Sequence, residues 1–130
     1  MNTTEAVLLL RKVHAYRPAQ HIDELTGDAW AEALDDIRYI DADEALVAIV
    51  KRTSDWITPD AIRAEVRRIR NRRIDQHPPV EPPPDLDPQQ QLAWTRAIVR
   101  RIGDGEQIPD QYRGALHARD IRQLTGGTAA

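Results

Sequence analysis

There is no cysteine and no phenylalanine in these 130 residues, and there is one serine and one methionine. Without cysteine the chain has neither structural disulfides nor thiolate-bound zinc, which fits a reducing compartment. With Ser54 as its single serine and no cysteine, a Ser–His–Asp or Cys–His arrangement is untenable. The four histidines, His14, His21, His77 and His117, form no HxxxH pair, so no metal and no cofactor is expected. The run "AVLLL" is five apolar residues flanked by acid and base, which is not a signal peptide. Nothing approaches the roughly 18 apolar residues that span a bilayer. The chain reads as a soluble intracellular protein with no membrane partner. It shows no βαβ alternation, no glycine-rich phosphate loop, no internal repeat and no catalytic constellation, and it is expected not to be an enzyme.

What is present is charge, unevenly spread. The net charge is −3, yet residues 1–50 hold ten acids and four bases, while residues 51–76 hold eight bases and four acids. Sixteen of the eighteen bases are arginine, part of which GC-rich coding explains. The focus is "RAEVRRIRNRR", Arg63 to Arg73, where six of eleven residues are arginine. Either that segment meets a phosphate backbone or it neutralises acid elsewhere in the chain.

Four helices are expected before residue 76. The first follows Asn2 or Thr3, with Glu5 placed for a capping box; it buries Ala6, Leu9, Leu10, Val13 and Tyr16 and is closed by Pro18. The second carries Trp30, Ala33, Leu34 and Ile37 at helical spacing, with Trp30 in the core. The third starts at "DADE", with Asp41 as cap and Glu44 completing the box, and contains "ALVAIV", which as a helix has no polar face and belongs in the middle of a bundle; a buried strand is the rival reading, against which the capping box and the following "KR" speak. The fourth has Thr58 as cap, Pro59 in the first position, an Ile57–Ile62 staple and a stripe of Ile62, Val66 and Ile69.

On a helical projection the arginines border that stripe. Arg63, Arg67 and Arg70 lie on one flank, Arg68 and Arg72 on the other, and Arg73 lies in line with it. Asp60 can pair with Arg63 and Glu65 with Arg68, which leaves Arg67, Arg70, Arg72 and Arg73 without a local partner. Arg63, Arg67, Arg70, Arg72 and Arg73 are therefore the candidate phosphate contacts, since arginine forks match phosphate geometry. The alternative is a helix packed on the acidic first fifty residues. The "SDWI" turn between the third and fourth helices gives a weak helix-turn-helix likeness, with acidic Asp60 where bases would be read.

"HPPVEPPPDLDP", residues 77–88, contains six prolines and reads as a stiff extended linker. Asp87, Pro88 and Gln90 then mark the start of a fifth helix, running to about Ile102 and stopping at Gly103. Its face of Leu92, Trp94, Ile98, Val99 and Ile102 covers about 160°, too wide to leave in water. The helix must dock on the four-helix domain, on a second copy or on another protein; the last two are favoured, so these five are the candidate partner-binding residues, with Trp94 as anchor. A short helix between Ile108 and Leu124 and a frayed "TGGTAA" complete the chain.

The order "AWAEALDDI", "DADEALVAIVKR", "WITPDAIRAEVRRIR" resembles the helicase loader and inhibitor proteins of tailed phages, in the divergent form found in actinobacterial phages and prophages. The matching positions are Trp30, Leu34, Asp35, Asp36, Ala45, Ala48, Ile57, Pro59 and Ile62, within a likeness covering about residues 3–74. The resemblance implies a small all-α domain with a flexible C-terminal region that engages the replicative helicase, in the cytoplasm of a bacterial or phage-infected host cell. The arginine density of the fourth helix and the well-marked fifth helix depart from the family pattern. The expectation is thus an all-α adaptor: a four-helix domain at 1–76, a proline-rich linker at 77–88, and a C-terminal amphipathic helix and tail at 89–130. Its expected role is a non-enzymatic replication accessory protein that loads or inhibits a replicative helicase. The alternative is a small DNA-binding regulator using the fourth helix.

Overall fold

The computed structural model describes residues 1–112. Among them there are five α-helices and no strand: α1 (Thr3–Tyr16), α2 (Thr26–Ala33), α3 (Tyr39–Arg52), α4 (Pro59–Gln76) and α5 (Pro88–Gly103), followed by a 3-10 turn at Asp110–Tyr112. The protein is all-α, as the periodicity demanded. The chain divides into two compact units, residues 1–69 and the part beginning at Arg70, so the boundary falls within α4. The tail that includes His117, most of the expected helix between Ile108 and Leu124, and "TGGTAA" lies outside the described residues.

In the first unit α1 packs against α2 and α3. The core is built from Leu9, Leu10 and Val13 of α1, Trp30 of α2, Leu34 just past α2, Ala42, Ala45, Leu46 and Ile49 of α3, Ile57 just before α4, and Ile62, Val66 and Ile69 of α4. Asn2 and Glu5 form the capping box on α1, with Glu5 N–H donating to Asn2 Oδ1 at 2.8 Å and Asn2 N–H to Glu5 Oε1 at 3.0 Å. Thr58 Oγ1 accepts from Ala61 N–H at 3.1 Å at the start of α4. "ALVAIV" is helical and no residue of it is exposed.

Four local expectations are corrected. Tyr16 is exposed, one turn beyond the last buried residue of α1. α2 ends at Ala33, so Ala33 is exposed and Ile37 lies past the helix, only partly buried. α2 starts through Asp23, whose Oδ1 accepts from the N–H of Leu25 and of Thr26 at 2.9 and 3.2 Å, while Thr26 Oγ1 accepts from Asp23 N–H at 3.0 Å. Asp41 does not cap α3, which begins two residues earlier at Tyr39 with Arg38 as N-cap. It is 1% exposed and held by the Arg38 fork at 3.0 and 3.1 Å, an ion pair that offsets the cost of burying the carboxylate.

Two connections at one end of the bundle are joined by side chains. Gln20 Nε2 donates to Ile57 O at 2.7 Å while Ile57 N–H donates to Gln20 Oε1 at 2.8 Å. The amide thereby occupies both polar groups of a buried residue that belongs to no helix. Arg17 Nε donates to Asp55 O at 2.9 Å alongside.

The second unit has its own apolar cluster of Ile98, Ile102 and Ile108, against which Ile74, Val80, Trp94 and Tyr112 pack. Asp87 and Gln90 form the expected capping box with Pro88 in the first position of α5. The helix stops at Gly103, as expected, with Asp104 as its C-cap. Gly105 adopts φ +79°, donates to Ile102 O at 2.9 Å, and Glu106 N–H donates to Arg101 O at 3.0 Å. This pair of bonds needs a left-handed residue, which glycine adopts without Cβ strain. The proline stretch is more than a spacer: Val80 joins the apolar cluster and Glu81 N–H donates to Tyr112 O at 2.9 Å. Extended backbone is what prolines favour, and here it lies along residues 110–112 and keeps the donor that Glu81, unlike proline, retains.

Candidate functional site

The arginines of α4 are mostly engaged inside the protein. Arg63 places its fork on Asp36, at 2.9 and 2.8 Å, and donates to Ala33 O at 2.6 Å. This replaces the expected local pair with Asp60. Hydrogen bonding from Arg63 holds the Asp36 carboxyl down to about 2, and Asp36 in turn raises the Arg63 guanidinium. Glu65 is 4% exposed and accepts from Arg52 NH1 at 2.7 Å and from Arg68 NH1 at 3.1 Å. The Arg52 bond, set against the cost of burial, keeps its carboxyl below the usual range. Sequence spacing supplied the Arg68 partner but not Arg52.

In the second unit Arg70 binds Asp104, and Arg73 NH1 donates to Gly103 O at 2.8 Å. Both cationic heads sit at the C-terminal end of α5, where the helix dipole and unpaired carbonyls favour positive charge. Gly103 has room for Arg70 because it lacks a side chain: a Cβ there would lie 3.1 Å from Arg70 NH2. Of the five candidate phosphate contacts, Arg63, Arg70 and Arg73 therefore hold the fold together. Arg67 and Arg72 make no hydrogen bond or ion pair among the described residues.

The candidate partner face of α5 is also largely used internally. Ile98 and Ile102 are buried, and Trp94 packs edge-on against Tyr112 with ring centroids 5.4 Å apart. Val99 is partly buried and Leu92 remains exposed. Ile74, Val80, Ile108 and Tyr112 of the same unit pack with Ile98 and Ile102, the buried part of this face. Isolated apolar residues amid proline and polar sequence gave no periodic signal that they would do so.

Two clefts were not foreseen. The larger, in the first unit, has a volume of about 510 Å³ and is lined along α1 by Thr3, Val7, Leu10, Arg11 and His14 and on the facing side by Ile22, Asp23, Glu24, Gly27 and Asp28. Val7 and Leu8 are exposed on α1, and Leu25 on the facing turn is 70% exposed. The second cleft, about 460 Å³ in the second unit, lies among Arg70, Ile74, Thr95, Arg96, Val99 and Arg100. Arg96 and Arg100 stand one turn apart on α5, exposed, and their side chains make no hydrogen bond or ion pair among the described residues.

Among the described residues no group of three or more His, Asp or Glu is placed to hold a metal ion, and no helix is long and apolar enough to cross a membrane. No protein-family model, no curated protein and no solved structure matches this chain.

Proposed function

We propose that the protein is a non-enzymatic adaptor of DNA replication that binds a replicative helicase and governs its loading, by promoting or blocking it. The observation that carries a protein-binding role is the cleft of the first unit, an apolar channel with charged lips that no side chain of that unit fills. The inward pairing of Arg63, Arg68, Arg70 and Arg73 supports it too, because it removes most of the charge that a phosphate-binding helix would need. The helicase as partner follows from the resemblance of residues 3–74 to phage helicase loaders. The full chain titrated calorimetrically against a purified actinobacterial replicative helicase is expected to bind with a Kd of about 1 μM or tighter. An absence of both heat and co-elution would remove the helicase from the proposal.

One observation favours a second reading, DNA binding, though from a different helix than expected. Arg96 and Arg100 are like charges at i,i+4 with no partner among the described residues, an arrangement that destabilises a helix unless an anion joins it. In that reading Arg96→Glu with Arg100→Glu abolishes duplex binding and its steep salt dependence, while Arg63→Glu lowers the melting temperature. A wild-type protein without affinity for duplex DNA at low salt would dispose of this reading.

A further inference from the structure

We infer that the cleft between α1 and α2 is a docking groove for an amphipathic helix of another protein, one that carries lysine or arginine beside its apolar face. This inference rests on the adaptor reading and gives it a place and a recognition chemistry. The residues from Thr3 to His14 recur at i, i+4, i+7, i+8 and i+11, so they form one stripe along α1 about 16 Å long, the length of three helical turns. Val7, Leu10 and Ile22 make the floor apolar. Gly27 keeps it narrow: a Cβ there would lie 2.9 Å from Val7 Cγ2, so the backbone of α2 rests directly against α1. Such a channel suits the knobs of a single helix face, in the manner of helix-in-groove recognition.

Charge selects the occupant. The α2 lip carries Asp23, Glu24 and Asp28. Hydrogen bonds from Leu25 N–H, His21 and Thr26 hold the Asp23 carboxyl below its ordinary range, so it is ionised. Glu24 and Asp28 are exposed and make no hydrogen bond or ion pair among the described residues. On the other lip Arg11 and His14 are likewise exposed and unpaired, and the two lips do not bridge. Three carboxylates face one arginine and one histidine, so the rim is net acidic, like the first fifty residues as a whole. A helix whose apolar stripe is flanked by cations finds both its floor and its counter-charges there; an acidic helix or a nucleic acid is repelled.

The full chain is titrated by fluorescence anisotropy with two labelled peptides of about 18 residues sharing one leucine stripe, the remaining positions being lysine in one and glutamate in the other. The lysine peptide is expected to bind at least about tenfold more tightly, with the preference shrinking as salt rises. Glu24→Lys with Asp28→Lys reverses the order of the two peptides. Val7→Lys, at a position 38% exposed and so compatible with folding, weakens both. Amide shifts are expected at Val7, Leu10, Ile22 and Gly27. Equal affinity for the two peptides, a preference that survives the lip reversal, or shifts confined to other residues overturns the proposal. So does light scattering that shows a dimer which Val7→Lys dissociates, because the groove is then filled by a second copy. A helicase that binds wild type and the lip variant alike leaves the adaptor reading standing and this groove refuted. A lysine peptide that binds and reverses, beside a helicase that does not bind, leaves the groove standing and refutes the helicase.

Discussion

Replacing Trp94 and Ile98 together by alanine is expected to unfold the second unit. Ile98 is 3% exposed, and Trp94 lies across Tyr112 and the Ile98–Ile102–Ile108 cluster. Truncating a buried isoleucine costs about 2–5 kcal/mol, and a half-buried tryptophan adds a smaller amount. The two side chains share neighbours, so the sum is below additive and a loss of about 4 kcal/mol is expected. A cluster of three buried residues has little in reserve. Dispersed amide signals from residues 70–112 should collapse toward random-coil positions in a heteronuclear NMR spectrum. If they keep their dispersion while helicase affinity disappears, the face serves a partner and the assignment of these residues to an internal cluster is wrong.

Removing both arginines from Glu65 should be the next largest effect. In Arg52→Ala with Arg68→Ala, a carboxylate that is 4% exposed loses both counter-ions. Breaking a buried ion pair from one side costs about 3–5 kcal/mol, and the arginine heads here remain half in water, so about 2–3 kcal/mol is expected at pH 7. The pH dependence has a definite sign. In the wild type the Glu65 carboxyl is held below its ordinary value of 4.5, so its contribution is fully present above that value and is lost as pH falls through the lower folded value. In the double variant burial without counter-ions pushes the carboxyl up, so protonation relieves the strain as pH is lowered from 7 toward 5. The gap between wild-type and variant denaturation midpoints should therefore narrow over that interval. A gap that stays constant would mean that Glu65 reaches water when its arginines are gone.

The helix starts were legible because their causes are local. Asn2 with Glu5, Thr58 with Pro59, and Asp87 with Pro88 and Gln90 each satisfy the first amides of a helix within three residues. The buried stripes followed from spacing except at their ends, where Tyr16 and Ala33 are exposed. The arginines were not legible in the same way. Arg63 finds Asp36 across 27 positions and Arg70 finds Asp104 across 34, and the pattern of charges along the chain carries no information about which distant acid each fork will reach. Asp41 looked like a cap because it precedes an apolar run; the buried ion pair with Arg38 lets the helix begin two residues earlier. The groove was invisible for another reason. Gly27 and Val7 mean little until two helices come together, and unpaired surface charges look the same in sequence whether or not they flank a channel.

The Gln20 amide that grips Ile57 has a consequence in time. A backbone N–H outside any helix ordinarily trades its proton with solvent within the opening rate of its loop. Ile57 N–H is held by a side chain 37 positions away, and Ile57 O by the same group. To free it, the segment after α1 must part from the segment before α4, so the deuterium clock of Ile57 is set by a concerted opening of two loops. Its exchange should keep pace with that of Arg17 and Thr53, whose N–H groups donate to Val13 O and Ile49 O at the ends of α1 and α3. Gln20→Ala should desynchronise them, speeding Ile57 by on the order of tenfold for each ~1.4 kcal/mol of tether lost while the two helix-end amides change less. What looks in a static view like a pair of bonds is, over minutes, a coupling that makes two separate connections breathe as one.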